Sequence, residues 1–116
     1  MWVFTQTGFV SAVRHRDNKD QLMVRARDHE SLVDLADLES AEIVKTPGGD
    51  YPYRVTVSED TFHHFMSMSI EALDYTNFKN RVDVTRGHHF HDVLTGVWSI
   101  MHDVEDEDAR KRYATK

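Results

Sequence analysis

The chain has 116 residues, of which 40% are hydrophobic and 29% are charged, and its formal net charge is -6. A chain of this length and composition is expected to form one globular domain that folds without a metal or a disulfide. The absence of cysteine excludes disulfides and thiolate catalysis, and the negative charge argues against general binding to nucleic acid, which depends on lysines and arginines at the phosphates.

Alternating apolar and polar residues predict two strands in the first quarter of the chain. The segment 8–16 is followed by a polar cluster that predicts a hairpin turn, and a second alternating segment covers 21–27. In this second segment aliphatic side chains point one way, whereas Arg25 and Arg27 point the other way. The sequence therefore places cationic side chains on one face of a sheet.

A helix and two further strands are predicted next. Asp28 caps a helix with leucines at helical spacing, and a short strand follows around 41–45. The turn residues at 47–50 then lead into a strand that begins at Tyr51. In that strand Arg54 lies opposite the apolar side chains, as the arginines do in the hairpin.

Helices dominate the second half. Ser58 caps a helix, Asp74 begins a further turn or short helix, and the last helix carries an apolar stripe that places Trp98 in the core. The element order predicts an α+β fold, in which a mostly antiparallel four-stranded sheet is packed by amphipathic helices. We expect a single α+β domain at 1–104 and a charged, mobile C-terminal tail at 105–116.

The apolar content predicts no membrane segment. No run approaches the roughly 20 apolar residues that a membrane-spanning helix requires, and the apolar start of the chain lacks the basic flank of a signal peptide. We therefore expect a cytoplasmic protein that makes no membrane contact.

Five short motifs are spread over the chain up to about residue 102. They are Gly8-Phe9-x-Ser11, Val24-Arg25-Ala26-Arg27, Asp50-Tyr51-x-Tyr53-Arg54, Asp74-Tyr75-x-Asn77-Phe78-Lys79-Asn80 and Val97-Trp98-Ser99. Together they resemble a family of small uncharacterised bacterial and phage proteins. The resemblance implies one compact domain and a phage-type, host-directed accessory protein, but no particular activity. The histidine-rich segment and the acidic tail depart from the family pattern.

The arginines form the first candidate site. Arg25, Arg27 and Arg54 are predicted to share a sheet face, where guanidinium forks bind phosphate or carboxylate through paired donors. The alternative is a solvated face on which the arginines pair with acidic residues of the same chain, namely Asp17, Asp20 or Glu42.

A second candidate ligand-binding cluster consists of Asp74, Tyr75, Asn77 and Lys79. These side chains have the chemistry to orient a small ligand. In the alternative interpretation the aspartate and asparagine bond to backbone groups, the tyrosine packs and the lysine faces water.

The histidines suggest a metal site as an alternative. On a helix His88 and His91 are spaced i,i+3, and His88 and Asp92 are spaced i,i+4, so these side chains can hold one ion. The favoured interpretation is that the histidines are exposed to solvent, with no metal and no other cofactor.

Taken together, these features predict a noncatalytic binding or regulatory protein. It would act through a protein partner or a small anionic ligand on the arginine-bearing face, and Trp2 at a sheet edge offers a contact for a homodimer. The alternative function is a small metal-assisted hydrolase that uses the histidine-rich segment. No catalytic residue is assigned by the sequence.

Overall fold

The first half of the chain forms a five-stranded antiparallel sheet. A computed structural model describes the backbone of residues 1–114 and the side chains of residues 1–110. The strands are β1 (Trp2–Thr5), β2 (Gly8–Arg14), β3 (Gln21–Ala26), β4 (Val44–Lys45) and β5 (Tyr53–Ser58), in the spatial order β1-β2-β3-β5-β4. The α+β class and the antiparallel sheet are confirmed, whereas the predicted count of four strands is one too few.

The two edge strands account for the difference between the predicted and the observed sheet. β1 has four residues and reaches β2 through a two-residue connection, so the count of four strands omitted it. β4 contains only two residues of the predicted strand at 41–45. A short strand has too few residues to show a clear alternation of apolar and polar side chains in the sequence. At the edge of a sheet it also depends on a single neighbouring strand for pairing.

The strand register sorts the side chains onto two faces. Ser11 of β2 pairs with Arg25 of β3, which pairs in turn with Arg54 of β5, so these three side chains form one row on the same face. The neighbouring row, which contains Val24 and Val55, points to the opposite face. We call the side of the sheet that bears the arginines the arginine face.

Two helices pack on the side opposite the arginine face. A 3₁₀ turn at Glu30–Leu32 leads into α1 (Val33–Glu39), and β5 leads directly into α2 (Glu59–Glu71). Together with the sheet they enclose an apolar core. Its buried members are Val10, Ala12, Val24, Ala26, Leu32, Leu35, Ala36, Val55, Val57, Phe62 and Phe65.

The start of α2 is fixed by polar contacts. The hydroxyl of Ser58 accepts a hydrogen bond from Thr61 N at 3.1 Å, which makes Ser58 the predicted N-cap. Glu39, the last residue of α1, accepts from Ser58 N at 2.8 Å and also from the hydroxyl of Thr61. The carboxylate therefore joins the end of α1 to the beginning of α2.

The chain divides into two compact units, Met1–Phe78 and Lys79–Lys116. The second unit contains most of α3 (Phe78–Arg86), then α4 (His88–Ile100), a 3₁₀ turn at Met101–Val104 and α5 (Glu107–Ala114). Residues 105–116 were expected to form a mobile tail, and their backbone includes α5, while residues 115–116 lie outside the described residues. The domain limits of 1–104 and the mobility of the tail stay predictions.

The apolar stripe of α4 is largely uncovered. Leu94 is buried, but Trp98 is 58% exposed, and Val93, Met101 and Val104 are exposed as well. The expectation that Trp98 belongs to the core was therefore wrong. Helical spacing identifies an apolar face of a helix, but it does not show whether another element covers that face.

Among residues 1–114, no helix is both long enough and apolar enough to cross a membrane.

Candidate functional site

The structure brings Arg25, Arg27 and Arg54 together around Tyr51. The guanidinium carbon of Arg25 lies 4.7 Å from the centroid of the Tyr51 ring, and that of Arg27 lies 4.6 Å from it. Tyr51 itself is only 5% exposed. Both distances fall within the range of cation–π attraction, so the ring holds two cationic groups in defined positions.

Arg25 and Arg54 face each other directly across two strands. At one end of the pairing between β3 and β5, Glu59 N donates a hydrogen bond to Asp20 O at 3.3 Å. Hydrogen-bonded and non-hydrogen-bonded pairs alternate along antiparallel strands from that point, so Arg25 and Arg54 form a non-hydrogen-bonded pair. The Cβ atoms of such a pair lie about 4.5–5.5 Å apart, and like charges in that position are destabilising. The sheet therefore holds two positive charges next to each other.

The protein compensates these two charges only in part. Arg25 donates through Nη2 to the hydroxyl of Ser11 at 2.9 Å, and Arg54 donates through Nη2 to Tyr51 O at 3.5 Å. Among the side chains of residues 1–110, no carboxylate lies within 4.0 Å of either guanidinium. The Nε atoms of both arginines are buried and have no hydrogen-bond partner.

Arg27 differs from the other two arginines because it has an acidic partner. It donates to Asp50 O at 2.7 Å and lies 3.5 Å from the carboxylate of the same residue. Both side chains are well exposed, so this ion pair contributes little to stability. The arginines were expected to pair with Asp17, Asp20 or Glu42. None of these three residues forms an ion pair with Arg25, Arg27 or Arg54.

Aromatic side chains extend the arginine face toward the edge of the sheet. Trp2 pairs with Ser11 and is therefore in the same row as Arg25. The Trp2 ring meets the ring of Phe9 edge-on at 5.6 Å, and Phe4 stacks on Phe9 at 4.6 Å. Their alternation at the start of the chain favours a place in the core for Trp2 and Phe4, but Trp2 is 70% exposed and Phe4 is also exposed.

The cluster predicted at 74–79 lies elsewhere. Tyr75 lines a groove of about 590 Å³ between β1, α1 and α2, and none of the three arginines lines that groove. Asp74 and Asn77 are exposed in the segment between α2 and α3. Lys79 belongs to the second unit, where its ammonium lies 4.8 Å from the centroid of the Trp98 ring. Their role as ligand-binding residues stays a prediction.

The histidines of α4 lie beside two carboxylates. His88 Nδ1 lies 3.2 Å from Asp83 Oδ2, while Asp92 Oδ1 lies 3.5 Å from His88 Nε2 and 3.3 Å from His91 Nδ1. The hydrogen bond to Asp83, followed by the charges of Asp92 and Asp83, raises the pKa of His88 above its ordinary value.

Three residues of these sites were not found from the sequence. Tyr51 was predicted as the start of a strand, but it precedes β5 and lies under two arginines. Ser11 was noted only as part of the Gly8-Phe9-x-Ser11 motif, and it accepts a hydrogen bond from Arg25. Asp83 precedes His88 by five residues, and the intervening Gly87 was the only signal that the chain turns there.

Comparisons with protein-family models, with curated proteins and with solved structures gave no significant match. The resemblance to small bacterial and phage proteins therefore stays a prediction.

Proposed function

We propose that this protein is a noncatalytic binding module whose arginine face receives an anionic group of a protein partner. The observation that carries the proposal is the direct opposition of Arg25 and Arg54, with no carboxylate of the described side chains between them. An anion placed between the two guanidinium groups would relieve their repulsion. It would also accept paired hydrogen bonds from them.

The surroundings of the arginines favour a preformed site. Tyr51 is buried beneath Arg25 and Arg27, and Ser11 holds one terminal nitrogen of Arg25. Long side chains normally lose rotamer freedom when they bind a ligand, and here part of that entropy is already lost in the free protein. Binding then costs less than it would for arginines that move freely in solvent.

The aromatic side chains favour a protein partner over a free ion. Trp2, Phe4 and Phe9 place an exposed apolar surface next to Arg25 on the same side of the sheet. Aromatic residues beside arginine are the combination that dominates binding energy at protein interfaces. The complementary surface would be an apolar segment that carries a phosphate or carboxylate group.

The alternative function, metal-assisted hydrolysis by the histidine-rich segment, depends on an ion being bound there.

The test uses the double variant Arg25→Gln with Arg54→Gln. Inorganic phosphate and an aspartate-rich peptide with one tryptophan serve as probes, and binding is measured by calorimetry and by the rise in melting temperature. We expect both probes to bind the wild type, more weakly as salt rises, and the double variant to bind each at least about tenfold more weakly. Its melting temperature without probe should equal or exceed that of the wild type, because a like-charge pair is removed.

The matched control is Arg16→Gln with Lys19→Gln, which removes the same charge from exposed positions outside the arginine face. If both double variants lose the same binding affinity, net charge alone explains the loss. That result would contradict a defined site at Arg25 and Arg54. Unfolding of the arginine variant would identify Arg25 and Arg54 as structural residues and also overturn the proposal.

A further inference from the structure

The junction of α3 and α4 brings three metal-ligand groups together. Asp83 lies near the end of α3, and His88 and His91 lie in the first turn of α4. One ligand atom from each side chain lies within 4.8 Å of the others. We infer that these three residues form a binding site for a divalent transition ion of the zinc class.

The backbone at Gly87 makes this convergence possible. Gly87 has φ of 96°, a conformation that favours glycine, and its N donates to Asp83 O at 3.0 Å. His91 N donates in turn to Gly87 O at 3.3 Å. These two bonds tie the end of α3 to the beginning of α4, so Asp83 and the histidines meet although the helix is interrupted between them.

The distance between His88 and Asp83 is close to that of two ligands on one ion. Bonds of about 2.0–2.1 Å in a tetrahedral site separate neighbouring ligand atoms by about 3.4 Å. His88 Nδ1 and Asp83 Oδ2 lie 3.2 Å apart, which matches this separation, and the rings of His88 and His91 stack with their centroids 5.2 Å apart. His88 is largely exposed, so its ring can adjust to an ion without disturbing a core.

Asp92 completes the surroundings of the histidines. An ion on His88 Nδ1 leaves His88 Nε2 protonated, and Asp92 Oδ1 lies 3.5 Å from that atom. Such a carboxylate beyond the ligands fixes the orientation of the imidazole. The two carboxylates also offset the positive potential at the N-terminus of α4, which by itself repels a cation.

The donor set selects the class of ion. Two imidazole nitrogens and one carboxylate oxygen suit zinc and its transition-metal neighbours, whereas magnesium and calcium prefer oxygen ligands alone. Three protein ligands leave one tetrahedral position for water. Binding would join α3 to α4 through an ion and would stabilise the second unit by mass action.

The test uses untagged full-length protein that has been stripped with a chelator and then titrated with zinc or magnesium. Binding is measured by calorimetry and by native mass spectrometry. We expect one zinc per chain, a rise in melting temperature with zinc and none of these responses with magnesium. His88→Ala, His91→Ala and Asp83→Asn should each weaken zinc binding at least about tenfold.

His89→Ala is the matched control, since it removes a neighbouring exposed histidine outside the set of three. It should bind zinc as the wild type does. Circular dichroism of each variant checks that α4 is intact. The inference is overturned if the wild type binds no stoichiometric zinc, or if His88→Ala and His91→Ala retain wild-type affinity. In the latter case the zinc would lie elsewhere, for example at His63 and His64 on α2. None of these outcomes depends on the arginine face.

Discussion

Single residues show that burial in this protein does not always mean an apolar environment. Tyr51 is nearly inaccessible, and two arginines lie over its ring. The guanidinium groups themselves lie over the ring, where that of Arg25 also donates to Ser11 and that of Arg27 pairs with Asp50. A mutation of Tyr51 would therefore change the arginine positions as well as the packing.

A prediction at the residue scale compares Leu35 with Trp98. Leu35→Ala should lower the free energy of unfolding by about 2–5 kcal/mol, because it leaves a cavity in the core. Trp98→Ala should cost about 1 kcal/mol or less, since the ring is mostly exposed and loses mainly its contacts with Lys79 and His102. Chemical denaturation of both variants measures the two costs. A larger loss for Trp98→Ala than for Leu35→Ala would place Trp98 in the core after all.

The residues of the arginine face could be predicted in part. Alternation along a strand fixes the face of each side chain, so the shared orientation of Arg25 and Arg54 follows from their positions in the sequence. Their direct opposition does not follow, because it depends on the pairing of β3 with β5 and on the register. Tyr51 lies outside any strand, so no periodicity indicated its position.

At the scale of elements, the sequence correctly predicted a helix cap, in which a side chain contacts the backbone a few residues away. Ser58 was predicted as an N-cap and is one, because the cap bond spans only three residues. The link from Glu39 to Ser58 joins residues that are far apart in the sequence, so only the tertiary structure shows it. The same reasoning explains why β1 was omitted from the count and why β4 is shorter than predicted, because an edge strand depends on its partner.

Two glycines provide a prediction for α4. Gly96 lies inside the helix, and a Cβ added there would meet no atom within 4 Å, so Gly96→Ala should raise the free energy of unfolding by roughly 0.5–1 kcal/mol. A Cβ on Gly87 would also meet open space, but the positive φ at that position strains any other residue. Gly87→Ala should therefore lower the free energy of unfolding by about 1–3 kcal/mol.

Denaturation curves of the two variants, compared with the wild type, measure both effects. Neither substitution creates a steric clash. A gain in the free energy of unfolding for Gly96→Ala together with a loss for Gly87→Ala would therefore reflect backbone conformation alone. Stabilisation by both substitutions would show that the α3–α4 junction does not require a left-handed residue.

At the scale of the whole molecule, the first unit has a core of its own. All members of the apolar core lie between Val10 and Phe65, within the unit that ends at Phe78. A core that lies within one unit indicates that this unit can fold independently. The sequence did not indicate a division at this position, because the apolar stripes of the later helices suggested a single continuous core.

The corresponding prediction concerns a fragment that comprises residues 1–78. We expect it to unfold cooperatively, with amides of β2, β3 and β5 among the most protected in hydrogen exchange. Thermal denaturation and hydrogen exchange on the fragment and on the full chain measure this. A fragment without a cooperative transition would show that the first unit depends on later residues and would favour the single domain predicted for 1–104.

The proposed anion site at the opposed arginines implies a trade-off between stability and binding. A glutamate opposite an arginine would turn the pair across β3 and β5 into an ion pair, so a more stable sheet is one substitution away from the present sequence. Proteins tolerate such unfavourable local contacts at functional surfaces because an optimised surface would no longer bind its ligand. Selection of this chain for thermal stability alone should therefore replace Arg25 or Arg54 early, at the expense of the proposed anion binding.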